Sequence, residues 1–256
     1  MTASNALSAA KELLENPIIL LACTLLDVLF FVTLGFFGET IREWIVGHAL
    51  DIARFSAQIL RADPSTSIIG LLTSHQIIGS LIPVVLLTAL LFAVIGGLYV
   101  LFHGPIWYQL NSNQNNWKHY SKEFSTFVAY LLPIWIVYFF VEMMIDLRYE
   151  VIIQLGGAAS QVVLWIPSVI MGLALLVIIP SHSVLSLKKG WALWKKQPGA
   201  LFVTLLLPFL SIMAASTLVD LVWTQSPELG FLLGVPAISV LTWARKFIIL
   251  EVSDVL

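Results

Sequence analysis

Asp27 is the residue whose type and position most need a chemical explanation. It lies ten residues after Pro17, inside the apolar run 17–37. That is roughly 15 Å along a helix, about the midplane of a bilayer. An acid at that depth costs on the order of 2.5–3.5 kcal/mol on an insertion scale. Such residues usually face a bundle interior or a water-filled cavity, and many serve ion or proton pathways. Two readings stand side by side. Asp27 handles an ion or proton, or it is a protonated or hydrogen-bonded structural acid held by Thr24 or by a Tyr or Ser of a neighbouring helix. No Lys or Arg is expected at its level, so Asp27 is expected to lack a cationic partner.

A second group of charges suggests an outer vestibule or a cation site. Glu142 and Asp146 are spaced i, i+4 and share a helix face. Glu142 lies roughly 27 Å along the helix from Phe124, which places it near the outer interface. Asp220 is similarly placed on its own span, and Arg148 and Glu150 complete the group. Ordinary solvation at an interface is the simpler account of the same residues. His103, beside Gly104-Pro105, is expected to close its helix as a cap or interface residue rather than to bind a metal.

Nothing else forms a chemical motif. The chain has no H-E-x-x-H, P-loop, paired cysteine ligands or nucleophile elbow. No catalytic residue, cofactor or metal is therefore assigned. The single cysteine, Cys23, excludes an internal disulfide. Leu20-Leu21-Ala22-Cys23 has the form of a lipobox, but Lys11, Glu12 and Glu15 do not make a basic leader, and the apolar run continues past the cysteine. The first apolar segment is expected to stay in the mature chain.

The elements that must position these residues are membrane spans. Only 11% of the 256 residues are charged, 59% are apolar, and mean hydropathy is +0.94. A soluble domain carries about 25% charged residues, so this chain has too little polar surface to face water. No basic cluster is dense enough to suggest nucleic acid. Gaps free of Asp, Glu, Lys and Arg place six transmembrane helices near 17–37, 78–103, 124–145, 160–181, 199–223 and 230–250. The fold class is all-α, in one polytopic membrane domain. Arg245 and Lys246 fall near the end of the last span, where long cationic side chains can reach headgroups.

Two connections are amphipathic. Residues 39–62 set Ile41, Trp44, Ile45, Ala49, Ile52, Phe55 and Ile59 against Glu39, Glu43, Asp51, Arg54, Gln58 and Arg61. They read as a helix on the outer membrane surface, with Trp44 and Phe55 buried, or as one docked on the protein's own outer loops. Asp63-Pro64 should end it. Residues 185–197 set Leu187, Trp191 and Trp194 opposite Lys188, Lys189, Lys195 and Lys196, up to Pro198.

A shift of 75 residues aligns Val94-Ile95-Gly96-Gly97-Leu98 with Val169-Ile170-Met171-Gly172-Leu173, and Leu131-Leu132-Pro133 with Leu206-Leu207-Pro208. This suggests three units, each a short interfacial helix followed by two spans. Gly96-Gly97, Gly156-Gly157 and the prolines within spans read as close packing and kinks. Unwinding of helices at Pro133, Pro208 and Pro236 around a site is the sharper alternative.

The stretch Ser186-Leu187-Lys188-Lys189-Gly190-Trp191-Ala192-Leu193-Trp194-Lys195-Lys196-Gln197-Pro198, running straight into an apolar span, resembles interfacial segments of six-span prokaryotic membrane proteins. Among them is the membrane domain attached to some glycerophosphodiester phosphodiesterases. The soluble catalytic domain of those enzymes is not expected in this chain, so the resemblance implies the layout and no activity.

These readings lead to a non-enzymatic membrane protein that moves, or helps move, a small solute, ion or lipid, with Asp27 inside. The rival is an accessory or scaffold subunit of a membrane complex. A membrane-embedded enzyme is third, because no acid, base and nucleophile converge. Expected partners are membrane lipids and other membrane-protein subunits, in a prokaryotic plasma membrane.

Orientation follows from cations. With the N-terminus inside, nine Lys and Arg residues fall inside, every lysine among them, and Arg42, Arg54, Arg61 and Arg148 fall outside. Cysteine-accessibility labelling should therefore report Asn113, Lys189 and the C-terminus on the cytoplasmic side and Ser65 on the other. Labelling of Asn113 from outside would sink this topology.

Overall fold

The computed structural model describes residues 2–111, 116–154, 165–224 and 226–255. All regular structure among them is helical. Asn113, Gly156-Gly157 and residues 160–164 lie outside the described set. Five helices are long and apolar enough to cross a membrane, consistent with a multi-pass membrane protein. A sixth apolar segment, 174–184, is shorter.

Helices run wherever apolar stretches lack breakers and stop where backbone chemistry stops them. α1 (Thr2–Glu15) ends at Asn16, because Pro17 disfavours helical geometry in the residue before it. The Asn16 carbonyl accepts from the amides of Ile19 and Leu20 at 3.0 and 3.2 Å and so begins α2 (Pro17–Ala62). Pro64 ends α2 as the sequence requires. There Ser65 donates from both its amide (3.0 Å) and its hydroxyl (2.6 Å) to the Asp63 carboxylate, which holds that carboxyl below its usual range.

α2 corrects the expectation of a separate surface helix at 39–62. It is one helix of 46 residues, more than twice what a span needs. The glycines at 35 and 38 weaken a helix but do not break it, and no proline intervenes. The amphipathic pattern is real, but its apolar face packs on the protein. Ile41, Ile45 and Ile52 form a buried cluster with Ile77, Val84 and Leu91 of α4 (His75–Leu110), with Phe139 and Met143 of α5 (Trp117–Gln154) against it. Phe55 is half-buried, whereas Trp44 is 57% exposed, contrary to expectation. α3 (Ile68–Leu72) is a short turn capped by Ser67.

α4 and α5 also run longer than the spans expected of them. α4 continues through His103-Gly104-Pro105, so His103 is an interior helix position and not a terminal cap. In α5 the segment 118–123 enters the apolar run without a break. α6 (Trp165–Val184), α8 (Pro198–Trp223) and α9 (Pro227–Val255) continue through Pro180, Pro208 and Pro236, and α5 through Pro133. The prolines therefore do not unwind their helices.

The chain divides into two compact units. One comprises Met1–Val32, Leu98–Val128 and Leu173–Leu256; the other comprises Thr33–Gly97 and Ala129–Gly172. In the first, α1 lies against α9, and α8 pairs with α9 as a hairpin. Lys246 draws three helices together. Its ammonium donates to Glu12 of α1 (2.7 Å) and to the Leu110 carbonyl at the end of α4 (3.2 Å), where the helix dipole favours a cation. Trp243 donates its indole N–H to the Ala6 carbonyl at 3.1 Å. Large side chains such as Leu21, Leu25, Phe202, Phe209 and Met213 stay exposed, as a lipid-facing surface allows.

α7 (Leu187–Lys196) docks on the same unit through its small face. Ser186 caps it, its hydroxyl accepting from the Lys189 amide at 3.3 Å. Leu185 takes φ 49°, the left-handed turn that glycine usually makes at a helix end. The Ser186 amide then closes α6 on the Ser181 carbonyl at 3.2 Å. Gly190 sits so close to α6 that a β-carbon would lie 3.0 Å from the Val177 carbonyl oxygen and closer still to the Ser181 hydroxyl. Gly190→Ala should therefore push α7 off α6 and destabilise the protein by about 1–3 kcal/mol, the usual cost of overpacking. Thermal unfolding in detergent micelles would measure it, and an unchanged midpoint would refute the contact.

Candidate functional site

The site is a buried charge cluster in the first unit. Asp27 projects from α2, His103 from α4 and Arg245 from α9, and Asp27 has no exposed surface. Arg245 donates to it in a fork, Nη1 to Oδ2 at 2.5 Å and Nη2 to Oδ1 at 2.9 Å. This is the bidentate geometry in which guanidinium and carboxylate interact most strongly. Arg245 Nη2 also lies 3.2 Å from His103 Nδ1. A guanidinium can only donate, so His103 accepts there and keeps its proton on Nε2. The 3.4 Å approach of His103 Nδ1 to Asp27 Oδ1 is then two acceptors sharing one donor, not an ion pair.

Aromatic rings enclose the cluster. Phe30 meets His103 edge-on at 4.4 Å and Tyr99 lies at 4.4 Å, with Tyr99 stacked on Phe124. Trp107 stacks at 5.5 Å on a second buried histidine, His182, whose edge meets Phe127 at 4.9 Å. His182 Nδ1 donates to the Ile178 carbonyl at 2.9 Å, which fixes the ring. In so apolar a shell a lone carboxylate would be costly, and Arg245 supplies the opposite charge.

Two expectations are corrected here. Asp27 does have a cationic partner, and Arg245 turns inward instead of reaching for headgroups; only 14% of its side chain is exposed. The reason is helix length. α9 runs to Val255, five residues past the expected end, so Arg245 lies ten residues inside that end, as Asp27 lies ten residues from Pro17. The two side chains meet in the bidentate fork. Thr24 does not hold Asp27, because its hydroxyl donates to the Leu20 carbonyl at 2.8 Å. Cys23 is buried within α2, its thiol 3.7 Å from the Gln109 side chain.

The other candidate residues separate. Glu142 and Asp146 line a pocket of about 430 Å³ in the second unit, facing Arg42 and walled by Ile45, Ala49, Phe139 and Met143. The Tyr138 hydroxyl donates to Glu142 at 3.3 Å, and Arg42 is held by Glu39 at 3.1 Å. Arg148 is exposed on the same helix and is not part of that lining. The Glu150 side chain is outside the described set. Asp220 belongs to the first unit, where it lines a groove of about 340 Å³ with Phe31, Ile212, Ala215, Ser216, Gly234, Ala237 and Leu241. Neither pocket has Asp27 in its lining. Among the described residues no group of His, Cys, Asp and Glu is placed to hold a metal ion.

The sequence pointed to Asp27 but missed Arg245 and His103. One signal was available. Acids and bases within spans pair with one another, and Arg245 is a base inside the last apolar run. No family model, characterised protein or solved structure matches this chain.

Removing one partner should be costly and removing both should not. Asp27→Leu or Arg245→Met should each destabilise by about 3–5 kcal/mol, because the remaining charge is stranded. The double variant should recover most of that loss. Asp27→Asn should also weaken the fold, since Arg245 then lacks its counter-charge. Unfolding titrations of the four variants test this, and additive losses in the double variant would exclude the pairing.

Proposed function

We propose that this chain is a six-span, non-enzymatic protein of a prokaryotic plasma membrane, with both ends in the cytoplasm, serving as an accessory or scaffold subunit of a membrane complex. The carrying observation is the groove between α8 and α9, mostly apolar apart from Asp220 and lined in part by the small residues Ala215, Ser216, Gly234 and Ala237. Small residues let a second helix approach closely, which is how helices associate in lipid. A β-carbon on Gly234 would meet nothing within 4 Å, so the groove floor is open.

The state of Asp27 supports the same reading. A carrier site must open to one side, whereas both Asp27 oxygens are already engaged by Arg245 and the carboxyl has no exposed surface. The cluster acts as a lock between α2, α4 and α9. The layout of α7 before the α8–α9 hairpin fits the six-span resemblance, with α6 as the remaining span.

The second reading, movement of a small solute, ion or lipid, is favoured by the pocket of Arg42, Glu142 and Asp146. Glu142→Gln with Asp146→Asn would abolish solute movement on that reading and leave assembly intact.

Filling the groove separates the two. The Ala215→Leu, Gly234→Leu variant should keep the wild-type unfolding midpoint in micelles but migrate as a lone chain on native gels of solubilised membranes. Wild-type chain that migrates alone, or variant chain that stays in a larger complex, would reject the scaffold reading.

A further inference from the structure

We propose that α7 and the first turns of α8 form a binding site for an anionic phospholipid, whose phosphate lies on the α7 lysines and whose acyl chains lie along α8. α7 turns Gly190 and Leu193 inward. Its other face exposes Lys188, Lys189, Lys195 and Lys196. Residues 185–197 contain no acid, and among the described residues no carboxylate pairs with Lys188, Lys189 or Lys195. The other cations of this unit's core, Arg245 and Lys246, are neutralised by Asp27 and Glu12. The charge of Lys188, Lys189 and Lys195 is therefore directed outward.

The surface beside these lysines selects the ligand. α8 begins at Pro198, with only Gln197 between it and α7, and exposes Phe202, Val203, Leu206 and Leu207 in its first turns. An acidic protein or a nucleic acid would satisfy the lysines but leave that apolar wall uncovered. A phospholipid satisfies both. Trp191 marks the boundary. Its indole is 49% exposed, with the Lys195 ammonium 5.4 Å from the ring centroid. Indoles favour the headgroup level, where an apolar ring and a polar N–H are both solvated. The Gly190 contact and the Ser186 cap hold the helix in place, so the lysines present a fixed patch.

Native mass spectrometry of the full chain in detergent, with equal phosphatidylglycerol and phosphatidylcholine, tests the proposal. Wild-type chain should retain the anionic lipid about tenfold better, the size expected from one to two lysine–headgroup attractions. The selectivity should fall several-fold in high salt, as exposed charge pairs do. Replacing all four lysines by glutamine should bring the two lipids close to parity, and replacing them by arginine should preserve the preference. The arginine variant and the salt titration keep the test decisive should the glutamine variant fail to fold. Equal retention of both lipids by the wild type, a salt-independent preference, or full selectivity in a folded glutamine variant would overturn the proposal.

Discussion

An ionised carboxylate without a counter-charge costs several kcal/mol in an apolar interior, even after its surroundings relax. Asp27, which has no exposed surface, would be in that position without Arg245. The first unit is arranged around this constraint. α9 must bring Arg245 to the depth of Asp27, and α4 must bring His103 to accept the guanidinium proton left over from the fork. Each contact fixes the depth and rotation of a helix. In lipid, where apolar surface alone does not hold helices together, such a polar cluster is a source of unique packing.

The neighbouring contacts reinforce the same alignment. Lys246 follows Arg245, so when one turns to Asp27 the other is carried to the end of α4 and to Glu12. α1 is thereby joined to α9, with Trp243 and Asn5 adding hydrogen bonds at either side. The outer surface follows a different rule. It needs only apolar side chains against lipid, and cations where headgroups begin. The exposed lysines of α7 and the exposed leucines and phenylalanines of α8 are its two parts.

The functional reading rests on the contrast between a closed interior and open surfaces. In the charge cluster Arg245 engages both Asp27 oxygens and donates to His103 as well, which suits a lock. Outside it lie the small residues along α8 and α9, the exposed lysines of α7, and the pocket of Arg42, Glu142 and Asp146 in the second unit.

Sequence alone determined what depends on one helix at a time. The apolar runs, the stop at Asp63-Pro64, the basic helix before Pro198 and the apolar stripe of 41–52 follow from local hydropathy, turn chemistry and period, and the structure has them. Helix ends were less legible, because propagation continues past a span when no breaker intervenes; α2 beyond 37, α4 beyond His103 and α9 beyond 250 are examples. The partner of Asp27 was decided only by tertiary structure. Asp27 and Arg245 are 218 residues apart. A periodic pattern specifies which face of a helix is apolar, but not which helix it meets or at what depth. That depends on packing of the whole unit, where charges are forced to find each other because no water is left to solvate them.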